Sequence, residues 1–190
     1  MKKLLLTASV TAAIYLVNTA NAATSGTVNF SGKLNDQTCQ VALNNSGSAS
    51  GTVELPTVPK EKLTPGSAAG KTPFTLKLTG CKASTTAFGV TAYFPSNQYS
   101  SGNTGTLFNQ EAGATAASYV NLQILQKIGA TETAVKIGKP ATDASYQYTS
   151  VAANATSATL YYAVQYVNTY SVPAIAGKVK GIAIYELAYQ

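Results

Sequence analysis

The 190-residue chain predicts an all-β sandwich, and three observations carry that prediction. Apolar and polar residues alternate with period two in several stretches, no stretch sustains helical periodicity, and two cysteines are spaced to join strands across a common core. The composition agrees: 45% of residues are hydrophobic, 11% are charged, and twelve are tyrosine. Such a chain is neither disordered by composition nor rich in helix formers. All thirteen basic residues are lysine, because arginine, histidine and tryptophan do not occur. Without histidine there is no Ser-His-Asp triad and no imidazole metal site, and without arginine no bidentate clamp on phosphate or guanine.

In chain order, residues 1–22 come first and read as a signal peptide. Lys2 and Lys3 precede an apolar run from Leu4 to Val17, and Ala20-Asn21-Ala22 supplies a small-x-small cleavage pattern. A run of 14 residues falls short of the roughly 20 that span a bilayer. Export then starts the mature chain at Ala23 and brings it into an oxidising compartment. Removing Lys2 and Lys3 lowers the formal charge from +6 to +4, and the remaining lysines are scattered. Nucleic acid is therefore not expected as a partner.

Residues 23–36 are expected as an N-terminal extension and residues 37–190 as the domain. Within the extension Val28, Phe30, Gly32 and Leu34 alternate on one face of a strand. Gly32 weakens an ordinary strand but suits a close approach by another backbone or side chain. Cys39 and Cys81, the only cysteines, are expected to form a disulfide, since an exported pair without histidine completes no zinc site and provides no activated thiol. In the chain-entropy account a loop of this size contributes about 4 kcal/mol.

The clearest strand is Phe74-Thr75-Leu76-Lys77-Leu78-Thr79, with Phe74, Leu76 and Leu78 on the buried face, leading to Cys81. Cys39, Val41 and Leu43 alternate in the same way. Residues 89–94, 119–125, 159–167 and 178–189 are further strands, separated by turn-rich segments such as Pro95-Ser96-Asn97. Their number and spacing suit an immunoglobulin-like sandwich. Residues 44–51 and 63–71 read as polar loops. Tyrosines at 161, 162, 166, 170, 185 and 189 either pack across strands or form a platform for sugar stacking, and cross-strand packing is the preferred reading.

The two ends do not balance. Residues 181–190 are apolar on both faces and belong inside a sheet, yet no following segment is available to cover the free side. Residues 27–34 are a strand that needs a sheet. Either they close the same domain, or they are donated to another copy, and alternation alone leaves both open.

The ordered features along the mature chain resemble the pilins of chaperone–usher fimbriae. These features are the Gly-Thr-Val-x-Phe-x-Gly-x-Leu stretch from Gly26 to Leu34, Phe74-x-Leu-x-Leu-x-x-Cys81, Tyr162-Ala163-Val164-Gln165-Tyr166, and Tyr185-x-Leu-x-Tyr189-Gln190. Val164 is larger than the alanine usual there. The resemblance implies an incomplete immunoglobulin-like sandwich completed by a strand donated from a neighbouring subunit. It implies that Val28, Phe30, Gly32 and Leu34 are the donated face, and that Ile182, Ile184, Tyr185, Leu187 and Tyr189 border the acceptor groove, also bound by a chaperone. It implies as partners identical or homologous pilins in a head-to-tail polymer, a periplasmic chaperone and an outer-membrane usher, and export through the periplasm to a fimbria on the cell surface. The expected role is the major shaft subunit, serving adhesion or biofilm.

A minor or tip subunit binding glycans, and a secreted monomeric binding module, are the alternatives. Enzymatic activity is not expected: Asp36, Glu54, Glu61, Glu111, Glu132, Asp143 and Glu186 show no pairing in their spacing. Nor is a cofactor or metal, since no phosphate-cradling loop or ligand cluster occurs.

Overall fold

In the computed structural model, the described residues are Asn29 and 36–190. The expected signal peptide and the candidate donor residues Val28, Phe30, Gly32 and Leu34 lie outside them. Residues Asn35–Gln190 make one compact unit.

Ten strands follow in order: β1 (Gln40–Leu43), β2 (Ala68–Thr79), β3 (Phe88–Tyr93), β4 (Ser100–Ser101), β5 (Thr106–Phe108), β6 (Asn121–Ile128), β7 (Thr131–Ala134), β8 (Thr149–Val151), β9 (Ala158–Val167) and β10 (Glu186–Tyr189). They form two sheets. The larger runs β1-β2-β9-β6-β5-β4, with β7 beside the other half of β6, and the smaller runs β10-β3-β8. All these strand pairings are antiparallel.

Alternation decides which face is buried. Leu76 pairs with Leu160 and Phe74 with Tyr162, while Ile124 pairs with Val164 and Leu122 with Tyr166. These apolar positions form the inner face of the large sheet, and Val90, Ala92, Phe94 and Val151 meet them from the other side. Phe94 lies edge-on to the Tyr162 ring at 5.9 Å between centroids. The tyrosines therefore form no single ladder: Tyr162 is buried, whereas its neighbour Tyr161 is 54% exposed on the opposite face.

Polar groups inside the sandwich find partners across it. The Ala92 amide donates to the Tyr162 hydroxyl at 3.0 Å. Buried Gln126 donates to Thr91 Oγ1 at 3.1 Å and accepts from the Gln147 amide at 2.9 Å. The Tyr146 hydroxyl exchanges hydrogen bonds with the main chain of Phe94, each 3.2 Å. Burial pushes the Tyr146 hydroxyl up to about 12 from an ordinary 10.0. Because the folded value is the higher one, this contribution to stability is whole below pH 10 and is lost as pH rises toward 12. Thermal melts should thus fall steeply between those values, and Tyr146→Phe should flatten the fall; an unchanged profile would contradict this.

Five sequence-predicted strands are found with shifted boundaries; β2 begins at Ala68, so residues 68–71, expected in a polar loop, instead extend the strand where Ala68 and Ala69 pair with Val167 and Tyr166 of β9. The sixth, over residues 178–189, is corrected: its only strand is Glu186–Tyr189, at a sheet edge rather than inside a sheet, while Lys178 makes an isolated bridge to Ala116. The partner strand explains the truncation. Glu186 sits opposite Tyr93, so the next hydrogen-bonding position would place Ile184 opposite Pro95, which has no N–H to give. Ile182, Ile184 and Tyr185 consequently precede the paired strand.

Candidate functional site: an open apolar groove

The C-terminal segment borders a groove into the core. Residues 181–185 make no main-chain hydrogen bond to another described residue. The reciprocal bonds between Gly89 and Gln190, 3.1 and 3.0 Å, fix the phase of the β3–β10 ladder. By alternation, Leu187 and Tyr189 turn their main-chain N–H and C=O away from β3, and no strand among the described residues receives them. An unpaired edge thus follows the wall toward the chain's end.

Residues 49–55 face this wall, and between the two lies a cavity of about 650 Å³. Its floor is apolar core: Leu76, Phe94, Leu122, Ile124 and Val164, each at most 8% exposed. A second hollow of about 620 Å³ continues it toward Tyr189, lined by Gln37, Thr38, Cys39 and Val41 on one side and by residues 183–187 and Tyr189 on the other. The two share Ala49, Ser50, Ala183 and Tyr185, so they form one channel from a Val179 end to a Tyr189 end. Its wall covers ten residue steps, about 33 Å of extended chain.

At the junction the Tyr185 hydroxyl donates to the Ala49 carbonyl at 2.7 Å, bridging the channel, and the Tyr185 ring leans on Phe94 with centroids 6.3 Å apart. Burial raises the Tyr185 hydroxyl above its ordinary value, keeping it a donor. At the Tyr189 end the Cys39–Cys81 disulfide is formed, tying the segment before β1 to the residue that follows β2 by two positions. At the Val179 end, Val179 and Tyr166 pack on a small second core of Leu63, Val120 and Ala174.

That end depends on a glycine. A Cβ on Gly177 would stand 2.4 Å from the Ala117 nitrogen and 2.5 Å from the Ala116 carbonyl carbon, both immovable main chain. Here the chain bridges residues 116 and 118 before entering the groove wall. Gly177→Ala is expected to cost about 1–3 kcal/mol, read as a lower melting temperature; an unchanged melt would contradict so close an approach.

All five residues expected at the acceptor groove line this channel: Ile182 and Tyr185 the first hollow, and Ile184, Tyr185, Leu187 and Tyr189 the second. The opposite wall went unrecognised, because residues 44–51 read as a polar loop. The signal was present in Val53-Glu54-Leu55, where Val53 and Leu55 are half-buried against the core. The floor residues Leu122 and Ile124 were recognised as a strand but not as a binding surface.

Comparison with known proteins agrees with this architecture. The family profile described as "Type-1 fimbrial protein, A" matches residues 55–190. The chain belongs to the type-1 fimbrial protein family. It is 39% identical over 176 residues to the F17 fimbrial protein of Escherichia coli, covering 91% of this chain and 92% of that one. It is 36% identical over 168 residues to the major fimbrial subunit SMF-1 of Stenotrophomonas maltophilia (strain K279a), covering 87% and 95%. In fold, this pilin is similar to the P pilus rod subunit PapA, with a TM-score of 0.53 at 13% identity over 80% of this chain and 99% of that one. It is also similar to a subunit of a chaperone–usher pilus, with a TM-score of 0.51 at 16% identity over 87% and 96%. The pilin is thus a subunit of a surface fimbria, and its fold is the incomplete immunoglobulin-like sandwich of chaperone–usher pilins.

Proposed function

We propose that this pilin is the major shaft subunit of a chaperone–usher fimbria and that it polymerises by filling the groove of one copy with the N-terminal strand of another. The observation that carries this reading is the continuous apolar channel beside an unpaired strand edge. An extended peptide supplies both things that site lacks: main-chain partners for the edge and alternate apolar side chains for the floor. Val28, Phe30, Gly32 and Leu34 have the required alternation, and their span of about 20 Å fits within the wall.

Connectivity sets the direction of insertion. Gln37, Thr38 and Cys39 lie at the Tyr189 end, so a subunit's own extension begins there. A donor strand arriving at that same end would bring two bodies together where the acceptor's extension must leave. The donor therefore enters from the Val179 end and runs antiparallel to residues 179–189, with Leu34 nearest Val179 and Val28 nearest Tyr189. Such a contact is heterologous and propagates as an open filament. Before assembly a periplasmic chaperone occupies the groove, and an outer-membrane usher oversees the replacement that delivers the fimbria to the surface.

Deleting residues 27–34 tests the reading. The shortened subunit is expected to fold and to accept a strand but to donate none, so fibres stop at it. Normal fibre assembly by the deletion variant would refute strand donation.

A further inference from the structure

The Val179 end carries an apolar surface that the groove itself does not use. Tyr119, Tyr170, Val172 and Ile175 are between 39% and 54% exposed there. They are held in place: Tyr119 and Tyr170 meet edge to face at 5.6 Å, and Ser118 and Ile175 exchange main-chain hydrogen bonds of 3.2 and 3.0 Å. The Tyr170 hydroxyl bonds Asn121 Oδ1 at 3.3 Å. The surface is continuous with the groove, because Ala174, between Val172 and Ile175, packs in the same small core as the groove residues Val179 and Tyr166.

Tyr119 adds an independent sign. Its φ is 60°, a left-handed conformation that is an outlier for a bulky side chain. Such strain costs on the order of 1–3 kcal/mol and is retained where a function holds it. At 42% exposure the ring recovers little of that by burial within the subunit.

We propose that Tyr119, Tyr170, Val172 and Ile175 form the seat on which the body of the donating subunit, a second copy of this chain, rests. This rests on the strand-donation reading above. With Leu34 of the donor at the Val179 end, only four residues separate it from the donor's Cys39, five steps that span at most about 18 Å of extended chain. The tether is too short to hold the donor's body away from this pole. The donor must therefore present the end bearing its residues 36–38 to the acceptor's exposed aromatic pair. Rigid aromatic rings at the centre of a contact are the side chains that contribute most to protein interfaces.

Tyrosine nitration by tetranitromethane, mapped by mass spectrometry, distinguishes the two states of the full mature chain. Between unassembled subunit and SDS-resistant fibre, nitration of Tyr119 and Tyr170 is expected to fall about fivefold or more as water leaves the contact. SDS-resistant fibres in which both tyrosines react as in the unassembled subunit would overturn the seat while leaving strand donation intact. Failure to form SDS-resistant multimers at all would instead strike the donation reading, and the seat with it. Tyr119→Gly provides a second readout, because glycine adopts φ near 60° without strain. Its melting temperature is expected to equal or exceed that of the unchanged subunit, while its fibres break into shorter lengths under shear; fibres of unchanged length would overturn the proposal.

Discussion

Replacing Phe30 with aspartate is expected to leave a folded subunit that no longer holds its place in a fibre. In the strand-donation reading Phe30 lies mid-strand, over a floor that includes Phe94, Ile124 and Val164. Withdrawing a phenylalanine from such a site forfeits about 1.5–3 kcal/mol of burial. Placing a carboxylate there adds several kcal/mol more, because the charge loses water without gaining a partner. Each 1.4 kcal/mol is about a tenfold change in equilibrium, so the combined loss shifts the subunit contact by a factor of about 10³ or more. In that reading Phe30 belongs to the extension and not to the domain core, so the domain should melt as before. The check is the multimer ladder in SDS gels at increasing temperature: it should vanish for Phe30→Asp, and persistence at unchanged temperature would place the donated face elsewhere.

Removing the disulfide is expected to have a comparable effect on folding instead of assembly. Cys39 and Cys81 are 42 positions apart, and closing a loop of that size contributes about 4 kcal/mol in the chain-entropy account. That is a large share of the 5–15 kcal/mol typical of a domain's stability. The loss falls on the groove as well, since Cys39 lines its Tyr189 end and Cys81 is buried in the core. The double variant Cys39→Ser/Cys81→Ser should show a urea midpoint lowered in proportion and little subunit recovered after export. A midpoint within experimental error of the parent's would show that the bond contributes nothing to stability.

How much of this could be read from the residues differs between the two walls of the groove. The β2 strand was legible because Phe74, Leu76 and Leu78 alternate strictly against Thr75, Lys77 and Thr79, and one buried face imposes such a pattern locally. The disulfide followed from export and a cysteine count of two. The truncation of β10 was not legible, because it depends on Pro95 in the partner strand standing opposite Ile184, a matter of register between segments some ninety residues apart. Residues 49–55 were missed for a related reason. They pair with no strand, so they carry no sustained alternation, and only Val53 and Leu55 betray that the segment covers the core. The short strands β4, β5, β7 and β8, two to four residues each, lie below the length at which alternation is distinguishable from chance. The left-handed Tyr119 has no sequence signal, since bulky aromatics are not the residues that favour that conformation.

The deficit at the C-terminal end, by contrast, was visible in hydropathy alone. It has a direct structural counterpart: residues 181–185 lack main-chain partners among the described residues, and Leu187 and Tyr189 present an open edge. The floor beneath them is apolar, and in the strand-donation reading another copy's strand packs over it. In that reading assembly is part of folding, with burial and edge pairing completed by another copy.

The most direct test is an electron cryomicroscopy map of assembled fibres at a resolution that shows side chains. The account expects the channel between residues 49–55 and 179–189 to hold an extended strand continuous with the next subunit's Cys39. That strand should run antiparallel to residues 179–189 and point Val28, Phe30, Gly32 and Leu34 at the floor. A groove closed by the subunit's own residues 27–34, or fibres in which it stays empty, would contradict it.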